Sequence, residues 1–454
     1  MVEVVADRVA PEQKKSGALD RGVVERLAGD DPEWLATRRM QALRIYEATP
    51  MPSTQLEEWR YTDLSRKLCL DKLHSPVAEA LPDDPQAWPE RLRSTMAEDH
   101  DAVGHLVLVD GSVVHTNIGA HLSSRGVVLT SLRRAATEHP TLLEKYLATQ
   151  AIPPEDGKLQ ALNAMLWTDG VLLYVPPGVR LEHPVRVTRW YSETGAAFFS
   201  RTLIVADSAS KLAYVDEALS DDFDQETLTS QAVEVFASDG AHVQYVSAQR
   251  IGRGAFCHAA QRILLGRDAT LDMLNVSLGA STTRVDLNAR LLGSGADSNL
   301  LGLYFGDGDQ HFDHNTSQDH IAPAARSDLL YKGALDDSSR AVFRGVIRVA
   351  EGAQQTDAYQ TNRNLILSDN ARADALPKLE IHADDVKCSH GATVGQLDEE
   401  SLFYLMSRGL TRAQAERLVV VGFLGMVLQR LPLGGVVEKV TRVIEEKLRL
   451  GAHA

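Results

Sequence analysis

The sequence predicts a mainly β chain: a stacked β-coil, or solenoid, between a mostly helical N-terminal region and a small helical C-terminal domain. Three observations carry this. The character of the chain changes near Trp167, after which short strands and turns replace helical patterns as far as Val394. An internal repeat runs through that stretch. Beyond Gly395 the apolar residues return to helical spacing. The boundaries are read as 1–165, 166–395 and 396–454.

The repeat is a small or polar residue, then alanine, then an alternating apolar stretch. It occurs as SASKLAYV, GAHVQYV, DATLDML, GADSNLLGL, AARSDLLY and GAQQTDAY. The marker residues are Ala209, Ala241, Ala269, Ala296, Ala325 and Ala353, spaced by 32, 28, 27, 29 and 28. A second strand lies between markers, as in RILLG and FRGVIRV. A coil of this length cannot bury its inner face alone and must stack on its neighbours. An irregular β-sandwich also gives a turn every 8–12 residues or so. The regular spacing favours the solenoid, with the six alanines in equivalent coil positions.

The flanking elements follow in order. Residues 1–20 are polar and read as a frayed end. Val23, Leu27, Trp34, Leu35, Met40, Leu43 and Ile45 suggest two helices broken near GDDP. LEEWRYTDLSR (56–66) follows, then a proline-rich loop at 76–89. HLVLVDGSVVHTNIG (105–119) reads as a hairpin turning at Asp110-Gly111. LTSLRRAATEHPTLLEKYLATQ is helical with a break near Pro140. After the β-region, Asp398 is an N-cap, Gly409 a C-terminal stop, and Thr411 with Gln414 has capping-box spacing. GGVVEKVTRVIEEKLRL makes a third helix. Leu418 to Leu428 contains no charge, so this tail packs on the β-body or meets a partner.

Composition limits the function. Hydrophobic content of 44% and charged content of 24% are ordinary for a globular chain. A net charge of −15 repels phosphate backbones, so no nucleic-acid partner is expected. No apolar run reaches the ~20 residues that cross a bilayer, and no secretion signal is visible at the N-terminus. Cys69, Cys257 and Cys388 are few, odd in number and far apart. They argue against a disulfide framework and for a cytoplasmic location.

Two clusters could carry chemistry. In ADDVKCSHGATVG, extended backbone would place Asp384, Val386, Cys388 and His390 on one face. The HGA that follows reads as a turn able to bend the pair together. Two ligands do not complete a zinc or iron–sulfur site, which takes about four. The remaining ligands would have to come from another chain; otherwise the pair is a half-buried thiol beside a hydrogen-bonded histidine. The second cluster, HFDHNTSQDH, offers His311, Asp313, His314, Asp319 and His320. Alternation puts His311 and Asp313 on one face and His314 and His320 on the other. The choice is a cupin-like mononuclear metal site or a solvated ladder of polar pairs. Cys257 and His258, being adjacent, point to opposite faces, and Cys257 reads as core. There is no phosphate-binding G-x-x-x-x-G-K-[ST] loop, no C-x-x-C and no G-x-S-x-G, so ATP hydrolysis within this chain is not expected.

The block LEIHADDVKCSHGATVGQLDEESLFYLMSRGL (379–410) resembles the signature of the SufB/SufD family, the scaffold subunits of the SUF iron–sulfur cluster assembly machinery. Its form, and EEWRYTDL at 57–64, are closer to the SufD branch. The resemblance covers essentially the whole chain. It implies a right-handed parallel β-helix and a non-catalytic scaffold in the cytoplasm. It implies pairing with a SufB-like paralogue through the β-helix ends. It also implies binding of a SufC-like ATPase through the C-terminal helices, with Phe403, Tyr404 and Leu405 as candidate contacts. A histidine of the family's proposed assembly site matches His390, and Cys388 matches a neighbouring position of less clear role. The isolated chain would hold no stable cluster; the complex would hold one transiently, and a flavin in the complex is left open. SufB's longer cysteine set is absent here. Two other readings stand beside this one: a β-helical or cupin-like metalloenzyme using the His311–His320 cluster, and a purely architectural homodimer.

Overall fold

The computed structural model describes residues 19–76, 88–98, 101–431, 433 and 435–451. Most of the polar N-terminal stretch and of the proline-rich loop expected at 76–89 lies outside the described residues. In chain order the strands are β1 Gly104–Val109, β2 Ser112–Ile118, β3 Val128–Ser131, β4 Asp169–Val175, β5 Val185–Tyr191, β6 Ala197–Ala206, β7 Lys211–Ser220, β8 Thr227–Ala237, β9 His242–Arg250 and β10 Ala255–Leu265. They continue as β11 Thr270–Ser277, β12 Thr282–Leu291, β13 Asp297–Gly306, β14 His311–His320, β15 Arg326–Leu335, β16 Arg340–Val349, β17 Thr356–Ile366, β18 Arg372–Ile381 and β19 Val386–Gln396. The helices are α1 Arg21–Asp30, α2 Glu33–Ala48, α3 Leu64–Lys67, α4 Glu90–Ala97, α5 Ala120–Ser123, α6 Leu132–Glu138, α7 Pro140–Tyr146, α8 Lys158–Leu166, α9 Glu399–Ser407, α10 Arg412–Leu428 and α11 Val436–Gly451.

Successive strands from β4 onward alternate between two sheets. One runs β2-β1-β5-β7-β9-β11-β13-β15-β17-β19 and the other β3-β4-β6-β8-β10-β12-β14-β16-β18. Only β1–β2 and β3–β4 pair antiparallel; the other ladders are parallel. The result is a β-helix of about 8 turns. Side chains from the two sheets meet in a filled lumen. Tyr304 stacks on His314 at 4.8 Å, and Tyr331 meets Phe343 at 5.3 Å. These tyrosines fit because the strand beside each carries glycine. A Cβ on Gly302 would lie 2.2 Å from the Tyr331 ring, and one on Gly333 would lie 1.9 Å from that of Tyr304.

The marker alanines are in register over part of the repeat. Ala241, Ala269, Ala296 and Ala325 each precede a residue of one continuous rung, His242–Thr270–Asp297–Arg326, and are almost fully buried. Ala209 and Ala353 are not equivalent to them. Lys211 pairs with His242 and Arg326 with Asp357, so Ser210 and Thr356 hold that place in the first and last coils. The corners of those coils differ in length, and the ladder rather than sequence spacing sets the register.

The N-terminal region continues the solenoid as well as flanking it. The hairpin turns at Asp110 (φ 46°) and Gly111 (φ 82°), as a type I′ turn requires. Its strand β1 joins β5 in parallel, while β3 joins β4, so both sheets are extended at this end. Helices α1, α2 and α8 bury Val24, Leu43 and Leu162 against Phe199, Leu203 and Phe256, on the outer face of the β3–β18 sheet. Beneath them Arg201 and Glu234, both fully buried, pair at 2.9 Å. Glu234 also accepts from the backbone N–H groups of Ala148 and Ile152, which offsets the cost of burying its charge.

The C-terminal helices cover the other sheet. Val420, Leu424 and Val427 of α10, with Val440 and Ile444 of α11, pack on Val246, Leu274 and Leu301. Lys439 reaches Glu217 at 3.0 Å and Lys447 reaches Asp307 at 2.6 Å. The caps are those expected: Asp398 accepts from Ser401 N, Thr411 and Gln414 close a full capping box, and Gly409 has φ 96°.

This packing sets a contrast between two glycines. Gly333→Ala should lower stability by about 3 kcal/mol, because the new methyl overlaps a ring in a close-packed lumen. Gly422→Ala, on α10 with nothing within 4 Å of its Cβ position, should raise it by about 1 kcal/mol. Urea unfolding of the two variants checks both signs.

Candidate functional site at the open end

Strands β18 and β19 end the two sheets, and each pairs on one side only. Neither strand contains a buried residue. Across β17–β19 the rungs are Ala358↔Cys388 and Gln360↔His390. The turn expected at HGA does not form. An unbroken ladder from Val386 to Gln396 holds these residues straight, with Gly391 opposite Thr361. Gln360 points into the lumen, since a Cβ on Gly345 of the opposite sheet would meet its amide at 2.3 Å. His390, its neighbour on the same rung, therefore stands on the lumen side of the last strand. There it is exposed, because no further coil covers it. Gln360 is fully buried, and neither atom of its amide has a partner.

Cys388 is half-buried against Ile347, Val349, Ala353 and Ala358. Burial pushes its thiol up, a backbone hydrogen bond with Ala358 opposes this, and Asp357 adds to the rise. The group is a neutral thiol at pH 7. Cys388 and His390 share a face about 6–7 Å apart, as alternate residues of a strand do. They form an incomplete pair of one sulfur and one nitrogen ligand. Exposed Tyr359, Ile381 and Val394 border the same end. Helix α9 begins at Glu399, directly after β19, and turns Phe403 (73% exposed) and Tyr404 (56%) outward, with Leu405 half-buried. On α10, Leu418 and Met426 add exposed apolar surface.

The second cluster does not converge. His311 and Asp313 face outward, while His314 and His320 face the lumen on the far side of the same strand. None of the four is solvated, so the ladder expected at the surface is in fact buried. Two features cover it. Thr62 accepts from His311 Nε2 at 2.8 Å and donates to Asp313 Oδ2 at 2.5 Å. Arg284 reaches Asp313 at 2.7 Å and lies under the Trp59 ring at 3.7 Å. His314 instead bonds Ser277, and His320 bonds Ser327. Among the described residues, no group of three His, Cys, Asp or Glu side chains is placed to hold a metal ion. The metalloenzyme reading loses its site. Cys257 faces the lumen as core, with its thiol pushed up to about 11 by burial, and adjacent His258 points outward to Asp286. The role of Trp59 and Thr62 in covering Arg284 and His311 was not visible in the sequence, where EEWRYTDL was only a resemblance.

Comparison with known proteins decides the class. The profile described as "SUF system FeS cluster assembly, SufBD core domain" matches residues 189–423, and "SufBD protein N-terminal region" matches residues 23–187. The chain belongs to the SufBD family. It is 32% identical over 423 residues to the iron–sulfur cluster assembly protein SufD of Bacillus subtilis, covering 92% of this chain and 95% of that one. It is 27% identical over 430 residues to SufBD family proteins of Staphylococcus saprophyticus and Staphylococcus haemolyticus, covering 92% of each chain. It is thus a SufBD-family iron–sulfur cluster assembly protein. Both profiles stop short of α11. Among the described residues, no helix is long and apolar enough to cross a membrane.

The buried histidines make the stability of the chain fall with acid. Burial is the main cause for all three: His311 is pushed down to about 3, His314 to about 3 and His320 to about 4. Unfolded histidines titrate near 6.5, so below that pH the unfolded chain binds more protons than the folded one. Their contribution is complete above about pH 6.5 and is lost as pH falls toward 4. Three protons give a slope of up to about 4 kcal/mol per pH unit. Urea midpoints between pH 7.5 and 5 should fall accordingly, and His314→Asn should reduce the slope by about a third.

Proposed function

We propose that this chain is a non-catalytic scaffold subunit of the SUF machinery. It pairs through its open end with a SufB-like paralogue, and a nascent iron–sulfur cluster forms where the two meet. The observation that carries this reading is the incomplete ligand pair at an unpaired edge. His390 offers an exposed imidazole and Cys388 a half-buried thiol, at the end of the solenoid where β18 and β19 each pair on one side only. A second chain across that edge would supply the missing thiolates and exclude water. His390 is assigned as a cluster ligand. Cys388 is assigned a lesser part, because its thiol must first lose a proton that burial holds on. The isolated chain would bind iron or zinc weakly and keep no stable cluster. The same edge would support a homodimer when the paralogue is absent.

The C-terminal domain, 396–454, is proposed to dock an ABC-type ATPase that hydrolyses ATP for the assembly. The apolar surface of α9 and α10, with Phe403 and Tyr404 exposed and Leu405 half-buried beside them, supports this. It adjoins the open end in sequence, while the opposite face of α10 is buried on the solenoid. A site of use in the cytoplasm fits three free cysteines.

The test is the complex co-expressed with both partners. His390→Ala should assemble with them and lose most of the acid-labile sulfide and cluster absorbance, and Cys388→Ser should lose less. A full cluster in a folded His390→Ala complex would remove His390 from the site. In the same preparation, Phe403→Glu or Tyr404→Glu should release the ATPase. An unpaired charge at an interface costs about 3–5 kcal/mol, which turns a micromolar Kd into a millimolar one.

A further inference from the structure

A second polar site lies away from the ladder of the last two strands, and its groups are only partly used. It is a cleft of about 240 Å³ whose floor is the outer face of the β3–β18 sheet, with Glu58, Ile152 and Gln160 also lining it. Three floor residues share one rung: Asp286 of β12, Asn315 of β14 and Arg344 of β16. Asn288 follows Asp286 by two residues and so stands on the same face.

The amide of Asn315 donates to Asp313 at 2.8 Å, and that of Asn288 donates to Asp319 at 2.7 Å. A carboxylate only accepts, so each amide turns its NH2 toward the carboxylate and is left with its oxygen. Both oxygens are buried without a hydrogen-bond partner, and Asn315 is only 9% exposed. Burial would raise the Asp286 carboxyl, but Arg284 and His258 outweigh it and hold it down to about 2. It is a carboxylate at neutral pH, a third acceptor beside the two amides. Arg344 has ion pairs with Glu57 at 3.4 Å and Glu58 at 3.8 Å, and no hydrogen bond among the described residues. Acceptors without donors thus stand beside a donor without an acceptor, and unmet buried polar atoms are costly.

This pattern selects among ligand classes. A simple anion such as phosphate would suit Arg344 but would meet Asp286 and two amide oxygens. A metal cation would meet a carboxylate already paired with Arg284 at 2.9 Å, with Arg344 on the same rung. A molecule carrying both an ammonium and a carboxylate suits both halves. The three N–H groups of the ammonium match the three acceptors, and the carboxylate matches the fork of the guanidinium. Neighbouring strands lie about 4.8 Å apart, a spacing such a molecule bridges with the arginine reaching toward it. The cleft is smaller than the roughly 300–1,000 Å³ of pockets for drug-sized ligands. Ala260 and Val346 supply apolar lining for a small side chain.

We propose that this cleft binds a small zwitterionic α-amino acid, with its ammonium on Asp286, Asn288 and Asn315 and its carboxylate on Arg344. The site is independent of the reading given to His390 and Cys388. Ordered water is the competing occupant of such a cleft.

The experiment is saturation-transfer NMR on the full chain, with L-alanine and L-valine titrated into the millimolar range. Two analogues of L-alanine each lack one charge: propionate has no ammonium and L-alaninamide has no carboxylate. L-alanine should bind, and both analogues should bind about tenfold or more weakly, as expected when a charge-assisted hydrogen-bonded pair is lost. Arg344→Gln and Asn315→Ala, checked for folding by urea unfolding, should weaken L-alanine by a similar factor. No transfer to either amino acid in the wild-type chain would leave the cleft to water and overturn the proposal. Propionate or inorganic phosphate binding as well as L-alanine, or unchanged L-alanine binding in folded Arg344→Gln, would overturn it too.

Discussion

Each coil of the solenoid hydrogen-bonds only to the coil before it and the coil after it. Backbone donors and acceptors therefore run off each end of the stack unless something is added there. At the N-terminal end the chain adds strands of its own, the β1–β2 hairpin and β3, and packs helices alongside. At the C-terminal end it adds nothing: β18 and β19 are bare and the chain leaves directly into α9. An exposed parallel edge invites association, and natural proteins usually blunt one. That this end is left open, with a thiol and an imidazole on it, is what the functional reading depends on.

The flanking regions keep the open end rigid. N-terminal helices lie on one sheet and C-terminal helices on the other, so the outer face of neither sheet is left bare along most of its length. Charged groups buried at these contacts are matched: Arg201 by Glu234, Lys439 by Glu217, and Arg284 by Asp313 and Asp286. Breaking one such pair leaves a buried charge uncompensated, which costs more than the pair itself contributes. Lys439 also accounts for how α11 is held, since it spans from that helix to β7 and to the Thr95 carbonyl of α4. The apolar surface on α9 and α10 is thereby tied to the same frame that carries His390.

The sequence disclosed those features that repeat or that are local. The coil period follows from four alanines truly in register, and the hairpin follows from Asp110-Gly111. The caps at Asp398 and Thr411 need only three or four residues to be recognised. Errors arose where a nonlocal ladder overrode local signals. His390-Gly391-Ala392 has the composition of a turn, yet its pairing with Gln360-Thr361-Asn362 keeps it extended. His311 to His320 looks like solvated polar surface until Thr62, 249 residues away from His311, is seen to cover it. The candidate site was half legible. Cys388 and His390 stand out by residue type and spacing, but their place on a bare edge required the topology of both sheets.

Hydrogen exchange along β18 and β19 bears most directly on the claim that this end is built to be completed by another chain. In the isolated protein, amides of 372–381 and 386–396 should exchange far faster than those of the central strands β10 to β14, because no coil covers them and they open at little cost. On assembly with the paralogue they should become protected, while exchange in β10 to β14 stays as it was. Edge strands already as protected as the centre in isolation, or unchanged in the assembled complex, would contradict the account.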